Sequence, residues 1–243
     1  MELLFEYLFK RETDVVFFAF CYPFSYGDNL RLLQGLSEYF YIDEFYYHQE
    51  VMIMSPEGRA VHLLTISSHE QKDTEQELVF DSKLFPENNR PMRFRKPVVL
   101  ITARVHPAET AASHAMMGVL KFLTNKHDLR AYLLRQMFVF MVVPMINVDG
   151  VFKGHFRMDT FGNNLNRHYI NPDAEIHPAV YAIKSLAEHL QKDRRLTFYF
   201  DLHAHNAKKG CFFYGNAIND FVDQVESQVF CKLFAQNCKH FEY

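Results

Sequence analysis

The stretch VLITARVHPAE, residues 99–109, decides how this chain folds. Five of the six residues from Val98 to Ala103 are apolar and short or β-branched, which predicts a buried strand. Residues 109–123 (ETAASHAMMGVLKFL) hold few β-branched side chains and set Met116, Met117, Leu120 and Leu123 on one face, which predicts a helix. A strand therefore delivers His106 to the point where a helix begins. In an open α/β sheet, the crevice beyond a strand's carboxyl end is where ligands bind.

His106 and Glu109 are three apart, so across one helical turn they lie on the same side and can hold one ion. An imidazole with a carboxylate suits zinc, which takes a third protein ligand and keeps an open position when the site is catalytic. The pair is weak evidence by itself, because 13 histidines in 243 residues make a chance His-x-x-Glu common. Its context has to carry the argument.

The totals set the bounds. A length of 243 residues exceeds the usual single unit, and 49% hydrophobic content with 25 Phe is ample for a core. The net charge of -3 gives no reason to expect a nucleic acid or a membrane surface as partner. Cys21, Cys211, Cys231 and Cys238 form neither a dense framework nor a Cys-x-x-Cys pair, which predicts reduced thiols and a cytosolic setting. The opening MELLFEYLFKRE is interrupted by Glu2 and Glu6 and lacks a basic lead, so it does not read as a signal peptide.

Along the chain, the aromatic run at residues 14–26 (DVVFFAFCYPFSY) predicts a strand ending in a turn. Residues 29–40 predict a short amphipathic helix. Residues 46–54 and 60–67 predict two strands joined by the hairpin signature Ser55-Pro56-Glu57-Gly58. Residues 68–95 are polar and predict a surface excursion, with His48, His62 and His69 as surface or strand-face residues. Residues 137–145 (MFVFMVVPM) predict a second buried strand ending at a tight turn, Asn147-Val148-Asp149-Gly150. A polar, glycine-punctuated loop follows over residues 153–167. Residues 179–190 predict a helix, residues 196–202 (LTFYFDL) a third buried strand, and residues 220–234 a further helix.

Two strands thus end in potential ligands, His106 with Glu109 and, 97 residues on, His203. Parallel or mixed topology brings such distant strand ends to one edge. His205 competes as third ligand, and His203 is preferred because it sits at the strand's last ordered position. Between the two sets lie Arg157, Asn166 and Arg167. Guanidinium groups grip carboxylates bidentately, so this trio suggests a carboxylate-ended substrate.

The order His106-Pro107-Ala108-Glu109-Thr110, Asn147-x-Asp149-Gly150, Arg157, Leu165-Asn166-Arg167 and Asp201-Leu202-His203 resembles the zinc metallocarboxypeptidases of the M14 type. The wording ARVHPAET, GHFRMDTFGNNLNR and DLHAHNAKKGCFFYGN is similar to their cytosolic carboxypeptidase subfamily, whose members trim glutamate from tubulin tails. The resemblance implies a three-layer α/β/α carboxypeptidase fold with a mixed central sheet, incomplete at the C-terminus, over residues 27–243. Residues 1–26, with Tyr22-Pro23-Phe24-Ser25-Tyr26, would be the last strand of a β-sandwich domain.

By the same resemblance, His106, Glu109 and His203 would hold one zinc ion (Zn2+), and Arg157 would polarise the scissile carbonyl and steady the oxyanion. Asn166 and Arg167 would grip the substrate's terminal carboxylate, and Lys208 and Lys209 are candidates for glutamate side chains. The expected partner is polyglutamylated tubulin or another glutamate-rich protein tail, met by a monomer in the cytoplasm, with no nucleic acid and no membrane. Two departures stand out. Val148 replaces the proline of the family's Asn-Pro-Asp-Gly, and the family's general-base glutamate is expected on a strand beyond Tyr243. Glu226 and Glu242 do not match its context. The alternative reading is a catalytically inactive fragment that binds zinc and tubulin tails. An amidohydrolase of the aspartoacylase kind fits less well, because Ala103-Arg104-Val105 stands where that group has a Gly-rich lead.

Overall fold

The computed structural model describes residues 4–39, 44–205, 207–208 and 210–242. Its first regular element is helix α1 (Tyr26–Tyr39), and a hairpin of β1 (Tyr46–Met54) and β2 (Ala60–Ser67) follows. The hairpin turn closes where Gly58 takes φ 75°, a left-handed conformation that glycine adopts without steric cost. Next come β3 (Lys72–Gln76), β4 (Met92–Phe94), β5 (Val98–Ala103), α2 (Thr110–Leu123), α3 (Leu129–Met137), β6 (Val139–Val143) and α4 (Val148–Lys153). After a 3-10 turn at Leu165–Arg167, the chain continues through α5 (Pro178–Lys192), β7 (Leu196–Leu202) and α6 (Phe221–Asn237).

The main sheet runs β1-β2-β6-β5-β7 and is mixed. The β1, β2 and β6 neighbours are antiparallel, whereas β6, β5 and β7 run parallel. Alternation along each strand divides the core into two layers. Val98 and Leu100 of β5, with Met141 of β6, pack on one face against Val180, Ile183 and Leu186 of α5. Val99 and Ile101, with Val142, pack on the other against Leu33 and Leu36 of α1 and Met116 and Leu120 of α2. The result is helix, sheet, helix. Burying each such side chain contributes about 1.5–3 kcal/mol, so the two layers together supply most of the driving force.

Several expectations need correction. Residues 14–25 form no strand; Val15, Phe17, Phe18 and Phe20 are exposed, and α1 begins at Tyr26. Apolar, aromatic composition favours a strand only where a ladder partner exists, and none pairs here among the described residues. Residues 68–95 are not a mere surface excursion. They carry the β3-β4 ribbon, bury Leu84 and Phe85, and set two ion pairs inside the protein, Arg90 with Glu50 at 2.5 Å and Arg195 with Glu77 at 2.6 Å. The predicted strand at residues 137–145 is shorter, because Met137 ends α3, a helix started by the Asp128 side chain accepting from the Arg130 amide at 2.9 Å.

Asn147-Val148-Asp149-Gly150 is not a free turn but the start of α4. Asn147 caps it, accepting from the Gly150 amide at 3.0 Å. Asp149 is 3% exposed and is held by Ser55 Oγ at 2.7 Å, the Glu57 amide at 3.1 Å and Arg59 Nη1 at 2.7 Å, which fastens α4 to the β1-β2 hairpin.

The chain divides into two compact units, Met1–Ala204 and His205–Tyr243. In the second, Asp220 caps α6 by accepting from the Val222 and Asp223 amides, and Phe213 lies against the rings of Phe230, Phe234 and Phe241. All four cysteines are free thiols, and among the described residues no helix is long and apolar enough to cross a membrane.

Candidate metal centre

Because β5 and β7 are parallel neighbours, with Ala103 opposite Leu202, their carboxyl ends reach the same edge of the sheet. His106 follows one end and His203 the other. Glu109 is the residue just before α2, yet its carboxylate makes no capping bond to the helix. Instead it lies between the imidazoles, with Oε1 2.8 Å from His106 Nδ1 and Oε2 2.9 Å from His203 Nδ1. The Ala204 amide also donates to Oε2 at 2.8 Å. One donor atom from each of His106, Glu109 and His203 falls within 4.8 Å of the others.

The outer nitrogens fix the rings. His106 Nε2 faces Asn164 Oδ1 at 3.0 Å, and His203 Nε2 faces Asp201 Oδ2 at 2.8 Å. Both partners are acceptors, so each Nε2 carries a proton, and in a neutral ring the Nδ1 lone pair then points at the Glu109 carboxylate. Two lone pairs and a carboxylate converging on one place repel unless positive charge sits among them. A metal ion meets that need, and two imidazoles with one carboxylate are a donor set that zinc accepts.

Burial lowers the His203 imidazole's pKa, but its bonds to Asp201 and Glu109 outweigh this and hold it up at about 9. Burial raises the Glu109 carboxyl, and the bonds from His106, His203 and the Ala204 amide prevail, bringing it down to about 2. The site is built to keep Glu109 ionised and to attract a cation.

Arg157 reaches the same place, with Nη1 3.9 Å from Glu109 Oε1, too long for a hydrogen bond but close enough for a charge to be felt. Its loop is tied to the ligand loop where the Ala108 amide donates to Phe156 O at 3.0 Å. Asn166 and Arg167 lie in the 3-10 turn, Asn166 half-buried and Arg167 exposed with Nη1 donating to Asn166 O at 3.2 Å. Lys208 is exposed in the second unit, its amide donating to His205 Nδ1 at 3.1 Å, and Lys209 lies outside the described residues.

Sequence reasoning missed two residues. Asn164 Oδ1 meets both His106 Nε2 and the Asn166 amide at 3.2 Å, so one amide side chain joins a ligand to the 3-10 turn. Asp201 turns one oxygen to His203 and the other to Thr102 Oγ1 at 2.7 Å, bridging β7 to β5. Asp201 was visible as the residue two before His203 on the same strand face. For Asn164, a helix-capping residue type just before Leu165-Asn166-Arg167 was the only signal.

The family model for zinc carboxypeptidases matches residues 48–240. Human cytosolic carboxypeptidase-like protein 5 is 32% identical, the alignment covering 93% of this chain and 36% of that protein. Human cytosolic carboxypeptidase 6 is 35% identical, with 98% of this chain and 44% of that protein covered. The first alignment runs over 326 positions and the second over 241, so the first carries a long gap that the second lacks. A metallo-carboxypeptidase from Burkholderia cenocepacia, 25% identical, superposes with a TM-score of 0.71 over 90% of this chain and 52% of that one. The chain therefore spans less than half the length of these two human relatives. With a family model covering most of its length and relatives above 30% identity over more than nine-tenths of it, the chain belongs to the zinc carboxypeptidase family.

Proposed function

We propose that this chain forms the metal- and substrate-binding part of a carboxypeptidase that removes glutamate from acidic protein tails, polyglutamylated tubulin among them. The observation that carries the reading is Glu109 held between two imidazoles whose outer nitrogens are already committed to Asp201 and Asn164. His106, Glu109 and His203 would hold one zinc ion, which when bound supplies Lewis acidity and positive charge. Arg157 stands beside Glu109 on a half-buried stem and would stabilise the negative charge that develops on a carbonyl oxygen. Asn166 and Arg167 would offer an amide and an exposed guanidinium to the terminal carboxylate, which selects for a chain end. Lys208 and Lys209 would add positive charge for glutamate side chains. No described residue is assigned the general-base role. A cytoplasmic monomer suits four free thiols and relatives named cytosolic carboxypeptidases.

The test combines metal content with peptide binding and glutamate release, using linear and branched polyglutamate peptides with free or amidated ends. The reading predicts one zinc per chain and tighter binding of free than of amidated ends. Equal binding of the two ends would remove the carboxylate clamp. Glutamate release that persists in His106→Ala would remove the metal-dependent reading.

A further inference from the structure

Behind the ligand loop sits Arg104, a charged residue only 2% exposed that plays no part in the site as described so far. Its backbone is left-handed, with φ 63°, a conformation uncommon outside glycine and held only where the surroundings enforce it. The turn lies just past β5 and sends the chain into His106. The guanidinium then curls back on the loop it has started. Nε and Nη2 both donate to Pro107 O, at 3.1 and 2.6 Å, while Nη1 donates to Ser113 Oγ of α2 at 2.7 Å and to Phe24 O at 3.1 Å.

Pro107 is the residue between ligand and spacer in His106-Pro107-Ala108-Glu109, so its carbonyl is a handle on both metal ligands. It has no amide proton of its own, and ordinary backbone pairing cannot hold that position from the nitrogen side. The Arg104 fork supplies the hold from the carbonyl side. Each of its four hydrogen bonds ends on a neutral oxygen, leaving a full positive charge under the loop that carries Glu109. Burial brings the group down to about 10, still protonated at neutral pH.

We infer that Arg104 is a positioning residue for the metal centre: its planar fork fixes the His106-Pro107-Ala108-Glu109 loop and ties it to α2 and to the backbone at Phe24. This rests on the metal-centre reading above. The fork geometry is what matters, so lysine does not substitute. A single ammonium cannot grip one carbonyl from two nitrogens while reaching Ser113 and Phe24.

Zinc affinity and melting temperature measured together on Arg104→Lys and Arg195→Lys test the inference. Arg195 is a second buried guanidinium, bound bidentately to Glu77 at 2.6 and 2.9 Å and taking no part in the ligand loop, so its variant reports what a merely structural loss does. We expect Arg104→Lys to weaken zinc binding about 10–100-fold, the usual range for outer partners of metal ligands, and Arg195→Lys to lower melting with zinc affinity within about twofold of the parent. The visible spectrum of the cobalt-loaded chain should change in the first variant and not in the second. Unchanged zinc affinity in Arg104→Lys overturns the inference, and so does an equal loss in both variants. If Arg104→Lys fails to fold, Ser113→Ala carries the test, with an expected loss of about fivefold and no loss as the refuting result. A parent chain that takes up no zinc overturns the metal reading and the inference with it; normal uptake by the parent and by Arg104→Lys overturns the inference alone.

Discussion

Gly150 sits where α4 passes under the ligand loop, and replacing it with alanine sets two effects of opposite sign against each other. Within a helix, Gly→Ala favours folding by up to about 1 kcal/mol, and less in the first turn, where Gly150 lies. Against this, a Cβ built on Gly150 would fall 2.6 Å from Pro107 Cγ, 2.7 Å from Asn147 Oδ1 and 2.8 Å from Met158 O. One of these is backbone, one is a proline ring, and one is the side chain capping α4, so none can swing away. Overpacking of this kind costs about 1–3 kcal/mol, and three fixed contacts put it at the upper end. The net expectation for Gly150→Ala is a loss of about 2 kcal/mol, a fall of about 4–8 °C in melting temperature for a chain of this size. Gly118, exposed in α2 with nothing within 4 Å of its added Cβ, is the control. There alanine should raise the melting temperature by about 2–4 °C. Thermal unfolding followed by circular dichroism reads both. A Gly150→Ala chain as stable as the parent would refute the close packing of α4 beneath Pro107.

Other perturbations probe the interior and the site. Burial raises the Glu50 carboxyl to about 7 despite the attraction of Arg90, so its contribution to stability is present below the ordinary carboxylate range and is lost as pH rises through 7. Glu50→Gln should therefore flatten the fall in urea stability between pH 4.5 and 7; an unchanged slope would count against this assignment. In the metal-free chain, the raised His203 contributes stability that is full below its ordinary pKa of 6.5 and lost as pH rises through about 9. Chelator-treated protein should lose urea stability between pH 6.5 and 9.5, and His203→Ala should remove that loss. Asn164→Ala leaves His106 Nε2 and the Asn166 amide without their shared acceptor, and zinc affinity measured by chelator competition should drop about 10–100-fold, against no change if the contact is incidental.

Strand periodicity was the most legible feature of the sequence. The bounds of β1, β2 and β7 coincide with the apolar and alternating runs that predicted them, and β5 with the run from Val98 to Ala103. Burial was misjudged for one of them: β7 was expected to be buried, but it lies at an edge of the sheet order and has no buried residue, with Thr197, Phe198 and Tyr199 exposed, because apolar composition does not tell an edge strand from a central one. Residues 14–26 show the limit of the same signal. Phe17, Phe18 and Phe20 have strand composition, but a strand exists only when another chain segment supplies its hydrogen bonds. Local capping was also underread: Asn147 starts α4 where a tight turn was expected, and Asp128 starts α3 in a stretch to which no element was assigned. The ion pairs of Glu50 with Arg90 and Glu77 with Arg195 were hidden for a different reason, since their partners lie 40 and 118 residues apart and charged residues in a polar stretch read as surface. In the site, His106 and Glu109 were visible by their spacing, but they meet in the loop before α2 and not across a helical turn. Asn164 and Asp201 act through contacts that only the assembled sheet edge creates.

The claim on which the rest depends is that His106, Glu109 and His203 hold a single metal ion. Zinc content of the purified chain, set beside His106→Ala and His203→Ala, measures it most directly. One zinc per parent chain is expected, with none retained by either variant after dialysis. Stoichiometric zinc in both variants would contradict it, and would move the metal away from the edge where β5 and β7 end.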